Sequence, residues 1–185
     1  MCLCRVLHVR LILLRPNVLA SARQSLLSLC STPLPSRTET ALRTEVSIIC
    51  VEAAVSAIHM LHANLCSASR IFNPNAIFVT LSAATVIVAA SLVSELDVSL
   101  EGSGGPYADV IIKALKVLDE HRWQVEGAPA ARAQLEKFLE TVTQAKRRRT
   151  AGGEFILLHS IPSVLVGGLG ECQYYDSFLT GPLHM

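Results

Sequence analysis

The chain has 185 residues, of which 51% are apolar and 17% charged, and its formal net charge is +1. That composition excludes a disordered polypeptide and supplies enough apolar material for one buried core. Near-neutral charge and a 5% aromatic content also exclude a surface that is a nucleic-acid footprint throughout, or a platform of rings for base stacking.

In chain order, residues 3–15 read as a first helical segment. Pro16 is expected to end or kink it, because proline lacks the amide donor and disfavours helix in the residue before it. Residues 17–30 read as a second piece. Arg5, Arg10, Arg15, Arg23 and Arg37 all precede the first acidic residue, Glu39. An arginine-rich, acid-free start of this kind has the character of a mitochondrial presequence, and Val6–Leu14 that of a short signal peptide interrupted by Arg10. The simpler reading is a core helix whose arginines snorkel to solvent. Ser31–Arg37, with two prolines, reads as a loop.

A long helix is expected from about Glu39 to Ser67. Its apolar stripe is Val46, Ile49, Cys50, Ala53, Ala54, Ala57, Leu61 and Leu65, with Arg43, Ser47 and Asn64 off the stripe. Ser69–Asn75 forms a turn around Asn73-Pro74. An apolar helix follows from Ala76 to about Leu96. The stretch Ala76–Val93 contains no charge and is just long enough to be a membrane-span candidate. Its Ala, Ser and Thr content and its flanks of Asn73, Asn75, Glu95 and Asp97 fit a helix buried on all sides better.

Glu101–Pro106 is a glycine-rich loop. Tyr107 to about Glu120 is an amphipathic helix burying Ile111, Ala114, Leu115 and Leu118, with Lys113, Lys116 and Asp119 outward. His121–Pro129 connects it, around Trp123, to a helix over Ala130–Ala145. There Leu135, Phe138, Leu139 and Val142 sit at i, i+3, i+4 and i+7, and Arg132–Glu136 is an i, i+4 pair. Beyond Gly152 the helical period stops, and residues 151–185 are expected to form an irregular tail.

Groups that could carry chemistry do not converge. The six cysteines (2, 4, 30, 50, 66 and 172) form no C-x2-C pair and no zinc-finger spacing, and they point to buried or inert thiols in a reducing compartment. His59 and His62 are three apart on a helix, a chelating spacing without a third ligand. Gly167-Gly168-Leu169-Gly170 lacks the spacing and the following helix of a dinucleotide site. Ser103 and Ser163 have no nucleophile elbow around them. No catalytic, cofactor-binding or metal-binding residue is therefore assigned, and the chain is not expected to be an enzyme. Lys146-Arg147-Arg148-Arg149 closes the last helix, where cations complement the macrodipole. The same four residues fit a nuclear-import signal.

The ordered set of segments resembles a known family. Leu7-His8-Val9-Arg10-Leu11-Ile12-Leu13-Leu14-Arg15-Pro16 is similar to the Arg-Pro helix in the regulatory region of fungal zinc-cluster transcription factors. Cys50-Val51-Glu52-Ala53-Ala54 through Ala57-Ile58 resembles that region's Cys/Ala-rich helix. The apolar helix at 76–96, Ala114-Leu115-Lys116-Val117-Leu118 with Trp123, and Leu135-Glu136-Lys137-Phe138-Leu139 follow in the family's order. The resemblance covers roughly residues 5–145 and rests on the order of these segments. It implies the C-terminal part of the fungal-specific transcription factor domain, also called the middle homology region. That region is nuclear, non-catalytic and modulatory, and it belongs to proteins that bind DNA through a separate N-terminal zinc cluster. The six-cysteine zinc cluster, the dimerising coiled coil and the front half of the helical domain have no counterpart here. Zinc is thus expected only in a DNA-binding domain outside this sequence, and no residue here inherits a DNA-binding or zinc-binding role.

The expectation is an all-α protein. Residues 1–150 should form an irregular helical bundle around a buried helix at about 76–96, as the fragment of a regulatory domain. Protein partners or self-association are expected, because a partial domain exposes apolar faces. Direct DNA binding and membrane insertion are not. The competing reading is a small membrane or mitochondrial helical protein with one span at about 76–93.

Overall fold

A computed structural model describes residues 2–27, 36–65, 75–100 and 105–150. The expected irregular tail at 151–185 lies outside them. The described residues are all-helical, in five α-helices and one short 3-10 turn: α1 (Cys2–Leu27), α2 (Arg37–Leu65), α3 (Asn75–Ala90), the 3-10 turn (Ser94–Leu96), α4 (Pro106–Glu120) and α5 (Ala128–Thr150). They belong to a compact unit, Met1–Gly152. Helix α3 lies at its centre and packs against α1, α2, α4 and α5.

Its sequence explains that position. From Ala83 to Val93 every residue is buried, on all sides of the helix. Its buried polar side chains satisfy themselves locally. The Thr80 hydroxyl donates to the Ala76 carbonyl at 2.6 Å, Thr85 to Leu81 at 2.6 Å, and Ser91 to Val88 at 2.8 Å. Such back-bonding removes the desolvation penalty of an unpaired hydroxyl, roughly 1–3 kcal/mol each. Small residues on both sides, Ala53, Ala54 and Ala57 on α2 and Ala83, Ala84 and Ala89 on α3, are buried and allow close helix approach.

The expected helix at 76–96 is shorter than predicted. The α-helix ends at Ala90, because Leu92 and Val93 donate back only three residues, to the carbonyls of Ala89 and Ala90 at 3.0 Å each. Asp97, at φ 48°, then turns the chain out of the 3-10 turn; Asp tolerates this left-handed region better than most residues. At 16 residues α3 spans about 24 Å, less than a bilayer core needs. Among the described residues the one helix long and apolar enough to cross a membrane is α2, with 29 residues and a mean hydropathy of 1.7 over its most apolar stretch, 44% of which is buried inside the bundle.

Pro16 does not end the first helix. Helix α1 runs from Cys2 to Leu27 with Pro16 inside it. Pro16 and Ile12 are both exposed, so the carbonyl that loses its amide partner belongs to the solvent side of the helix, where a missing bond costs least. The buried face of α1 is Leu7, Leu11, Arg15, Val18 and Ala22, one stripe at helical spacing.

Helix α2 starts earlier than expected, because Ser36 caps it. The Glu39 amide donates to Ser36 Oγ at 3.2 Å, and the Thr40 amide to the Ser36 carbonyl at 3.0 Å. Ser36-Arg37-Thr38-Glu39 has the S-x-x-E order of a capping box. Its stripe is also rotated from the expected one. The buried residues are Ser47, Cys50, Val51, Ala53, Ala54, Ala57, Ile58 and Leu61; Ile49 is exposed and Ser47 is enclosed. Apolar residues occupy most of the circumference here, so periodicity alone does not select the inner face.

Helix α4 begins at Pro106, which needs no amide partner in a first turn. It buries Val110 and Val117 beside the expected Ile111, Ala114 and Leu118, while Leu115 is half-buried. Pro129 likewise lies in the first turn of α5, which continues to Thr150. Leu135, Phe138 and Val142 are buried as their spacing predicts. Asp119 ties α4 to α5 through Arg132 at 2.7 Å, and Arg132 also reaches Glu136 at 3.1 Å.

Candidate functional site

Among the described residues, three places gather groups that could act. The first is the α1–α2 interface, where Arg15 and Ser47 are both buried and Cys50 is fully enclosed. Burial pushes the Cys50 thiol from its ordinary value of 9.0 up to about 12, against a smaller opposite pull from the Arg15 guanidinium. A thiol so disposed is protonated at neutral pH and unreactive. The Ser47 hydroxyl has no hydrogen-bond partner among the described residues. These groups sit in the wall of the bundle, and their chemistry is that of a core.

A testable consequence follows for alkali. Cys50 gains a raised value on folding, so its protonated form is the one the fold favours. Its contribution to stability is complete below about pH 9 and is lost as pH rises from 9 toward about 12. At pH 8 the thiolate is about a thousandfold scarcer in the folded chain than in the unfolded one. Mass-spectrometric mapping of alkylation at pH 8 is expected to leave Cys50 unmodified until denaturant is added. Labelling at the same rate in both states would show that Cys50 is not enclosed.

The second place joins α2 to α4. Lys113 Nζ lies 3.5 Å from His59 Nδ1 and 2.6 Å from the Asp109 carboxylate. The Lys113 hydrogen bond, with smaller help from the charges of Lys113, His59 and His62, holds the Asp109 carboxyl below its ordinary range. The structure thus brings His59 and His62 toward Asp109, a neighbour that spacing along α2 does not reveal. A lysine ammonium occupies the middle of this group. Among the described residues no set of three or more His, Cys, Asp or Glu is placed to hold a metal ion.

The third is the basic end of α5. Lys146 is half-buried, and Arg147 and Arg148 are exposed; the side chain of Arg149 lies outside the described ones. Elsewhere His121, expected in the connection, is buried, its Nδ1 2.8 Å from the Val117 carbonyl at the end of α4. Trp123 is 83% exposed with the Arg122 guanidinium stacked 4.8 Å from its ring centre. Cys2, Cys30, Cys66, Cys172, Ser103, Ser163 and the glycines at 167, 168 and 170 fall outside the described side chains.

The outer faces of α1 and α2 complete the inventory. Val6, Val9, Ile12 and Leu13 on α1 are all more than half exposed, and so is Leu42 on α2, followed by the exposed Ile48 and Ile49. The expected core reading of α1 and the expected α2 stripe, which included Ile49 but not Leu42 or Ile48, did not separate these residues as an outer row. The signal for a second apolar row is its spacing, opposite the buried one. Comparison with family models, with curated proteins and with solved structures finds no match for this chain.

Proposed function

We propose that this chain is a non-enzymatic helical module of transcriptional regulation, acting by docking to protein partners. The supporting observation is architectural. A central helix apolar on every side is enclosed by four others, in the segment order that resembles the fungal regulatory domain, while α1 and α2 keep apolar rows on their outer faces. Rows of this kind, rimmed by charge, characterise surfaces that bind other proteins. In this reading Lys146, Arg147, Arg148 and Arg149 direct the chain to the nucleus, and DNA is contacted by another domain.

The full chain fused to a tandem fluorescent reporter, too large to diffuse through nuclear pores, is expected to accumulate in nuclei. Changing all four basic residues to Gln should disperse it. Tethered to a heterologous DNA-binding domain, the chain is expected to alter reporter transcription. A second reading, membrane association, has the length and hydropathy of α2 in its favour. Carbonate-resistant pelleting of the chain, with no nuclear signal, would establish that reading and remove the first.

A further inference from the structure

We propose that Thr150 is a phosphorylation site for a serine/threonine kinase that reads arginine, and that its phosphate closes the import signal beside it. The site stands on the residues themselves; its effect on import rests on the nuclear reading above.

The sequence carries the recognition pattern. Arg147 and Arg148 lie three and two places before Thr150, and no other serine or threonine in the chain has arginine at both positions. Arginines at fixed distances from an acceptor are read by carboxylates of a kinase groove, through charge-assisted, bidentate pairs that lysine does not match. Two other hydroxyls carry half of the pattern. Ser25 has Arg23 two places back, and Thr40 has Arg37 three places back. The Thr40 hydroxyl is engaged, donating to the Ser36 carbonyl at 3.2 Å in the capped first turn of α2.

The fold leaves the pattern open to a second protein. Helix α5 runs to Thr150, yet the last of its described side chains to be buried is Ala145. Arg147 and Arg148 are exposed. The final turn therefore extends past the core. A kinase takes its substrate as an extended segment, because the acceptor oxygen has to approach the γ-phosphorus in line. Terminal helical turns fray readily, and Gly152 and Gly153 stand close behind Thr150, glycine being among the poorest helix formers. Straightening 147–150 gives up one turn of hydrogen bonds and leaves Leu135, Phe138, Val142 and Ala145 in the core.

The phosphoryl donor is a nucleoside triphosphate. The Thr150 hydroxyl oxygen attacks the γ-phosphorus of ATP, and the bond from that phosphorus to the β–γ bridging oxygen breaks. ADP leaves with the electron pair, and the hydroxyl proton passes to the catalytic carboxylate of the kinase. The new group carries a charge of about −1.5 to −2 at neutral pH. In helical register, position 150 lies one turn beyond Lys146 and Arg147, the relation in which opposite charges pair. The phosphate thus offsets about two of the four cations, and an acidic receptor surface loses the matching attractions.

The test is the full-length chain incubated with magnesium ATP and the catalytic subunit of the cyclic-AMP-dependent protein kinase, read by mass-spectrometric mapping and initial rates. A single phosphoryl group on Thr150 is expected, and Thr150→Ala should abolish it. Arg147→Ala and Arg148→Ala should each lower kcat/KM by about tenfold or more, the effect of losing one charge-assisted pair. Arg37→Ala should leave it unchanged, and all of these variants should keep the parent circular-dichroism spectrum. Phosphate that maps elsewhere, or a rate indifferent to Arg147 and Arg148, overturns the site. In cells, the reporter fusion is expected to leave nuclei when the same kinase is activated, while its Thr150→Ala form stays nuclear. A nuclear fraction indifferent to phosphate on Thr150 overturns the switch. A fusion that carries phosphate on Thr150 but never enters nuclei removes the import reading and upholds the site, so the two failures are distinct.

Discussion

Ile87→Asp is expected to unfold the chain at 25 °C. Ile87 is fully buried in the middle of α3, and α3 is contacted by all four other helices, so no rotation of the helix brings position 87 to water. An unpaired carboxylate there costs several kcal/mol even after relaxation or protonation. The loss of the isoleucine packing adds roughly 2–5 kcal/mol. Domains of this size have about 5–15 kcal/mol of net stability to set against that sum. Ile87→Val, which removes one methylene, should cost only about 0.5–1.5 kcal/mol, and it serves as the control for position. Far-UV circular dichroism and urea unfolding measure both. A cooperative transition for Ile87→Asp at the parent midpoint would mean that α3 is not enclosed, and the bundle as described would be wrong.

The second large effect is expected on α5. Leu135→Ala and Phe138→Ala should each destabilise the chain by roughly 2–5 kcal/mol. Both side chains are almost completely buried, and α5 faces α3 and α4, so truncation leaves a cavity between three helices rather than a dent at the surface. The two residues are neighbours on one face at i, i+3. Their double variant should therefore cost something other than the sum of the single losses. Ile112→Ala on α4 is the contrast. Ile112 is equally apolar but 64% exposed, and its loss should stay within about 0.5 kcal/mol. Equal midpoint shifts for Leu135→Ala and Ile112→Ala would contradict the assignment of inner and outer faces.

The three helices with one decisive feature were legible in the residues. Helix α5 has a single apolar stripe in a polar background, so Leu135, Phe138 and Val142 could be placed in the core from spacing alone. Helix α3 is apolar on every side, which requires neighbours all round, and the four surrounding helices supply them. Helix α4 separates Lys113, Lys116 and Asp119 from its inner face, and only Val110 and Val117 were left out of that face. Boundaries were less legible, because they turn on single backbone bonds. Ser36 capping set the start of α2, and three-residue bonds after Ala89 shortened α3.

The residues by themselves determined the class of this protein: an all-α chain whose apolar periods are those of helices, with a charge-free segment that has to lie inside. The tertiary structure decided which way α1 and α2 face. Both carry apolar residues around most of their circumference, so two stripes satisfy the helical period equally well and periodicity cannot choose between them. Packing of α1 and α2 against each other and against α3 chose Leu11, Val18, Cys50 and Ala54 for the core, enclosed the polar Arg15 and Ser47 with them, and left Val9, Leu13, Leu42 and Ile49 outside. That choice depends on contacts between residues far apart in the chain, which the local helical period does not encode.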